Sequence, residues 1–518
     1  MFKPPSLGEL ETEVTMEVSP AEAELDTPFR VLMLGDFSGR VSHAVAAPES
    51  PRVKIHPFEL DRDNFDDVLA SLGLKLNLSI EGAAEPVALD FGSLDDFHPD
   101  RIVERARVFS RLRDTRKKLL DQSTFAAAAA EVREWAGMGA SPPPTEPPPR
   151  AADAPKRGGG SLLDRMLQAT ESRAQMAPEP RDEELQSFLR EVVKPHLVPD
   201  TEPDLAALVA CVDAATGKLM RAVLHHPDFQ RIEAAWRALY FLVSRLETGP
   251  ELKLYLCDIS KPELESDLRS SGDLRTTAIY NLLVEETVET PGGEPWAVVV
   301  GNYSFEPTRE DAETLGRIAK IAQLARAPFI AEASARALGC ESVAATPDPR
   351  DWRRSDSEDR EAWQAMRRLP EACYLGLALP RFLLRLPYGP ATDPVEQFDF
   401  DEMRDGTGHQ SYLWGNPAVA CAYLLAEAFS RYGWRFVPGV RKEIDGLPLH
   451  VYSEGGESKM KPCAEVLLTE RAAEATLAEG LMPWLSFKGR DTIRVARFQS
   501  LAEPLSRLAG RWLSPEAN

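Results

Sequence analysis

No apolar run in this chain is long enough to span a bilayer, and the opening MFKPPSLGELETEV has no apolar core of the kind a secretory leader needs. Positive charge is in short supply: 60 Lys and Arg stand against 82 Asp and Glu, a formal net charge of −22. Such a surface repels phosphate backbones and excludes nucleic acid as a default partner. Cysteine is sparse as well. Cys211, Cys257, Cys340, Cys373, Cys421 and Cys463 are scattered, form no CxxC pair, and mostly sit among apolar neighbours, as in YLCDI and EACYLGL. They read as small core residues in a reducing compartment. A cytoplasmic protein with no direct membrane insertion is the expectation.

The motifs of common catalysis are missing too. Gly35-Asp36-Phe37-Ser38-Gly39-Arg40 follows an apolar run but has neither GxGxxG nor the lysine and hydroxyl of GxxxxGK[ST], so it reads as a tight turn after a buried strand. Asp61, Asp63, Asp66 and Asp67 in DRDNFDD lack the central Gly and terminal Glu of a calcium loop and suit the acidic first turn of a helix. His225 and His226 are adjacent, and on one helix their rings would diverge by roughly 100°. Neither HxxxH nor HExxH occurs, so they are read as helix-start residues and no metal site is expected. Glu233 and Arg237 have the i, i+4 spacing of a helix-surface pair. There is no G-x-S-x-G elbow and no placeable Ser–His–Asp set. The loop FDFDEMRDGTGH (Phe398–His409) collects Glu402, Asp405 and His409, and is read as solvated rather than as an acid–base site. No catalytic residue and no cofactor is assigned; a non-enzymatic protein is expected.

What is present is an ordinary globular composition, 43% hydrophobic and 27% charged, in 518 residues, too many for one core. From Gly137 to Gly160 the Pro, Gly and Ala content makes a buried core implausible, and the stretch reads as a tether. Before it, Phe29–Leu34 is nearly continuous apolar, as a strand buried on both faces would be. Leu74, Leu76, Leu78 and Ile80 alternate with polar residues, and Val87, Leu89 and Phe91 resume the alternation after a turn, predicting a hairpin. A helix is predicted from Pro99, with Ile102, Ala106, Phe109 and Leu112 as its apolar stripe. Ala126–Trp135 extends the helical content.

After the tether, helices are predicted around Leu185–Val193 and Leu205–Leu224. A long one follows Pro227, with Phe229, Ile232, Trp236, Leu239, Val243 and Leu246 at helical spacing. Strand-like runs follow at Leu252–Leu256, Trp296–Val300, Tyr374–Leu379 and Cys463–Leu468, with helical runs at Leu315–Arg326 and Pro417–Phe429 between them. Alternation of this kind argues for an α/β architecture. The densest stretch is Tyr374–Gly415, rich in Pro and aromatics and costly to order unless it packs against something. Ser161–Thr170 (SLLDRMLQAT) reads as a short amphipathic helix, which would set Leu162, Leu163, Met166 and Leu167 on one face. At about ten residues it is marginal in water, so it either docks on its own domain or serves as a helix-in-groove ligand.

Both halves resemble the sheath subunits of bacterial type VI secretion systems. PFRVLMLGDFSGR, DRDNFDDVLASLGLKLNLSI and LDFGSLDDFHPDRIVERARVFSRLRDTRKKLL resemble the small subunit. HHPDFQRIEAAWRALYFLVSRLET, TPGGEPWAVVVGNYSF, LPRFLLRLPYGPATDPVEQFDFDE and SYLWGNPAVA resemble the large one. The resemblance implies two sheath-type α/β modules, mixed sheets with flanking helices, packed as a fused pseudo-heterodimer. The expected divisions are 1–136 for the small-subunit module, 137–160 for the linker and 161–518 for a large-subunit module lacking the family's full C-terminal portion. It further implies a structural component of the contractile sheath around an inner tube. The implied partners are other sheath subunits or copies of itself, the inner tube protein, baseplate proteins and a ClpV-type AAA+ unfoldase. That unfoldase would engage the short helix through Leu162, Leu163, Met166 and Leu167. The alternative is a non-polymerising accessory that caps or regulates sheath or baseplate assembly.

Overall fold

A computed structural model describes residues 27–43, 55–81, 86–135, 205–353, 357–404 and 408–512. The strands are β1 (Phe29–Gly35), β2 (Pro57–Leu60), β3 (Lys75–Leu78), β4 (Val87–Asp90), β5 (Leu252–Asp258), β6 (Val298–Phe305), β7 (Phe329–Ala333), β8 (Leu375–Leu379), β9 (Phe382–Leu383), β10 (Trp414–Gly415), β11 (Glu443–Ile444), β12 (His450–Glu454), β13 (Glu457–Lys461), β14 (Met482–Ser486) and β15 (Ile493–Val495). Nine of them form one mixed sheet in the order β11-β15-β14-β8-β7-β6-β1-β5-β2. The block from β5 to β14 is parallel, while β2, β15 and β11 run antiparallel to their neighbours.

The position of β1 decides the architecture. It comes from ahead of residues 137–160, yet it lies between β5 and β6, pairing Phe29–Gly35 with Leu252–Asp258 on one side and Val31–Leu34 with Val298–Gly301 on the other. Its residues alternate between two cores. Phe29, Val31 and Met33 face the layer containing the Pro227–Arg245 and Pro417–Tyr432 helices, while Leu32 and Leu34 face the layer of the Lys261–Arg269 and Arg309–Ala325 helices. A strand apolar on both faces is stable only inside a sheet covered on both sides. The expected mixed α/β class stands, with one correction: the two segments share a single main sheet, and the first keeps only the β3–β4 hairpin as a sheet of its own.

Two further expectations need correcting. Helix Pro99–Arg105 stops at Ala106, whose ψ of 123° is extended, and a second helix, Arg107–Leu120, follows. Arg113 Nη1 donates to the carbonyls of Val103 and Glu104 freed by the break (3.3 and 2.7 Å), and the predicted stripe stays buried across it. Cys463–Leu468 is not a strand; only Ala464 bridges Phe382, and Pro462 removes a ladder donor at the start of the run. The predicted hairpin, the Phe125–Trp135 helix and the Leu205–Leu224 and Pro227–Arg245 helices are present. Leu185–Val193 lies outside the described residues. Among the described residues no helix is long and apolar enough to cross a membrane.

Candidate functional site

The Pro227–Arg245 helix starts on His226, whose ring nitrogen accepts from the Asp228 backbone N–H, as the helix-start reading requires. Its next turns carry the centre of the molecule. Glu233 is fully buried rather than on the helix surface, which corrects the surface-pair reading. It lies four residues after Phe229 and three before Trp236, so it shares their buried stripe. Arg237 Nε donates to Glu233 Oε1 (2.7 Å), and Arg385 Nε donates to the same oxygen (2.7 Å). Arg385 also reaches Glu402 through Nη1 (2.8 Å) and Nη2 (3.2 Å). Tyr388 closes the knot: its backbone N–H donates to Glu402 (2.8 Å), and its hydroxyl accepts from Arg237 Nη2 (2.8 Å).

Two guanidinium groups therefore neutralise two carboxylates inside the protein, which is the condition for burying charge. Burial alone would push Glu402 up. The Arg385 charge, the His225 ring nitrogen 3.5 Å away, and hydrogen bonds from Arg385 and the Tyr388 N–H together outweigh it and hold Glu402 down to about 2. Burial raises the Tyr388 hydroxyl to about 12. Three stretches far apart in sequence meet here: the helix, the LLRLPYG segment and the FDFDE loop.

The Tyr374–Gly415 stretch, the chain's signature region, also packs against the first segment. Asp100, in the first turn of the Pro99–Arg105 helix, accepts from the backbone N–H groups of Glu396 (3.1 Å) and Gln397 (3.0 Å). The His98 ring stands edge-on to Tyr388 at 4.9 Å. Arg116 forms a bidentate pair with buried Asp213 (2.6 and 3.1 Å). Trp236 Nε1 donates to the Phe37 carbonyl (2.9 Å), and its ring is edge-on to Phe37 and Phe65. Gly39 takes a positive φ of 79° in the turn after β1, as its tight-turn reading predicts, and Asp258 caps that turn through the Phe37 and Ser38 N–H groups.

The remaining sequence candidates separate. Asp66 and Asp67 occupy the first turn of the Phe65–Ser71 helix. The Phe398–His409 loop is not simply solvated: Glu402 is in the knot, and His409 Nε2 lies 2.9 Å from Glu465, which Arg381 also binds. The His409 ring stacks on Trp414 at 5.2 Å. Asp405 lies outside the described residues, as do Leu162, Leu163, Met166 and Leu167. Glu402 and His409 are thus committed to separate ion pairs, and the knot places no nucleophile beside a base. Sequence reasoning missed Arg385, Tyr388, Asp100 and Asp213. Only Glu233 left a readable signal, a carboxylate on an apolar stripe.

The geometry is that of a structural block built from two segments. The VipB profile, described as EvpB/VC_A0108, tail sheath N-terminal domain, matches residues 206–502. That match covers more than half of the chain, and the chain belongs to this type VI secretion sheath family, whose members are structural and non-enzymatic. A second profile, described as Type VI secretion system, VipA, VC_A0107 or Hcp2, matches residues 10–135, so both sheath domains are fused in one polypeptide. The chain is similar to the type VI secretion system sheath protein TssC1 of Pseudomonas aeruginosa, at 36% identity over 312 residues. The similarity spans 59% of this chain and 63% of that relative.

Proposed function

We propose that this protein is a fused protomer of a type VI secretion sheath, assembling in the cytoplasm around the inner tube with other sheath subunits or copies of itself. The observation that carries this reading is β1: the VipA-matching segment supplies an interior strand to the sheet of the VipB-matching segment. The natural divisions are 1–136, 137–160 and 161–518, with the middle stretch as the tether. Electron microscopy of the purified or co-expressed protein tests it. Tubules with a helical lattice support the protomer role, and a strictly monomeric species under all conditions rejects it.

Leu162, Leu163, Met166 and Leu167 would present an apolar face to a ClpV-type unfoldase. Leu163→Asp or Met166→Asp should abolish that binding while leaving the fold intact; equal binding by wild type and variant removes the role. The inner tube and baseplate proteins are the further partners on this reading.

A second reading, a non-polymerising accessory that caps or regulates assembly, is favoured by the sheet's outer strands. Among the described residues β11 has two residues and β2 four, starting at Pro57, so neither offers a long ladder to a neighbour. Binding to a preformed sheath only at its ends would select it.

A further inference from the structure

Two open cavities lie side by side at the carboxyl ends of the parallel strands, one of about 490 Å³ and one of about 460 Å³. Both are bounded by Ser304 in β6, Glu332 in β7 and Arg381 just after β8. The first also reaches Asp36, which follows β1. The strand order puts them where the winding of the sheet changes direction: β5 lies on one side of β1, and β6, β7 and β8 follow in sequence on the other. Open parallel sheets take small ligands in the crevice outside the carboxyl ends at such a point, and cavities of this size suit them.

The charges select the ligand. Every lysine and arginine lining either cavity already has a carboxylate: Arg231 pairs with Asp36, Lys261 with Asp311 (2.7 Å), and Arg381 Nε with Glu465 (3.0 Å). Of the carboxylates in the second cavity, Glu465 holds Arg381 and Glu341 pairs with exposed Arg336. Glu332 remains. Among the described residues it makes no ion pair within 4 Å, and Ser304 hydrogen-bonds its carboxyl. A half-buried carboxylate on the wall between two cavities is thus short of a cation. An anion entering here would meet Glu332 and no unpaired lysine or arginine, whereas a cation supplies what is missing. The walls on either side are apolar: Pro262 and Leu413 in the first cavity, Val343, Leu379 and Val466 in the second. Charge in the middle with hydrocarbon to both sides is the chemistry of a linear polyamine, whose ammonium groups are separated by short methylene chains.

We propose that the paired cavities bind a linear aliphatic polyamine, with an ammonium group against the Glu332 carboxylate and methylene arms running into both cavities. The bound cation ties β6, β7 and the segment after β8 together at the carboxyl edge of the main sheet. This site is independent of whether the protein polymerises.

Isothermal titration calorimetry of the full chain with spermidine tests it, at about pH 8, where Glu332, pushed up to about 7 by burial, is ionised. A single saturable site is expected. A chain of net charge −22 also attracts polyamines to its surface, so the variants carry the decision. Glu332→Gln, which removes the charge, should weaken the site at least tenfold. Ser304→Trp, which keeps the carboxylate and fills the shared wall, should do the same. Glu358→Gln, at a side chain 84% exposed and outside both cavities, should leave it unchanged. Absence of a saturable site overturns the proposal, as does binding that survives Glu332→Gln or Ser304→Trp. Equal weakening by Glu358→Gln, which means surface attraction only, overturns it too, and so does displacement of spermidine by inorganic phosphate at constant ionic strength.

Discussion

Replacing Arg385 with Met is the most direct probe of the buried knot. The guanidinium is 8% exposed and its two carboxylate partners, Glu233 and Glu402, are 0% and 1% exposed. Without Arg385, Glu233 keeps Arg237, but Glu402 retains only the Tyr388 N–H and His225, whose Nε2 is 3.5 Å away. Breaking a buried pair from one side costs about 3–5 kcal/mol, because the remaining charge stays desolvated. Adding Glu402→Gln removes that charge, so the double variant should recover part of the loss. The pH dependence gives a second handle. In the wild type Glu402 is depressed from 4.5 to about 2, so its contribution, on the order of 3 kcal/mol, is full above about pH 4.5 and lost as pH falls toward 2. In Arg385→Met, burial dominates and raises the carboxyl, so the sign reverses and the variant should gain stability between pH 7 and pH 5. Urea unfolding of the full chain measures all three. A loss below about 1 kcal/mol, no recovery in the double variant, or no gain on mild acidification would refute the account.

Half-buried Glu332, in β7, is pushed up from 4.5 to about 7, first by burial and further by Glu465, against the pull of Arg381. A raised carboxyl stabilises below its unfolded value and loses that contribution as pH rises through about 7, so the wild-type melting temperature should fall between pH 5 and pH 8 more than that of Glu332→Gln. Parallel curves would contradict it. A Cβ at Gly415 would sit 2.7 Å from Leu384 Cγ, so Gly415→Ala should lose about 1–3 kcal/mol by overpacking; an unchanged urea midpoint would show that the β9–β10 pair can give way.

Much of this fold was legible because period and punctuation are local. The FRVLML run, the β3–β4 alternation and the Pro227 helix each declare themselves within about twenty residues. The partners of those elements do not. Nothing local tells Phe29–Gly35 that it will lie between strands formed more than 200 residues later, and the expectation of separate sheets failed there. The surface reading of Glu233–Arg237 failed for a related reason: the spacing is right, but burial is set by Arg385, which lies 152 residues from Glu233. Arg385 and Tyr388 were visible as residues of a dense segment, yet their charge partners emerge only when helix, signature and loop are folded together.

One helix connects these features. Phe229 packs on Phe97, Arg231 pairs with Asp36 after β1, and Trp236 is held by Phe37 and Phe65. Between these contacts with the VipA-matching segment, Glu233 faces the signature region, and Arg237 does so one turn further on. The Pro227–Arg245 helix therefore reads both segments at once, through side chains one turn apart. A shift of β1 against the helix would disturb the Trp236 hydrogen bond and the knot together. That coupling gives a reason for a charged cluster where apolar packing would hold as well: Arg237, Arg385, Glu233 and Glu402 balance only in one register, so they penalise small slips that a greasy core would absorb.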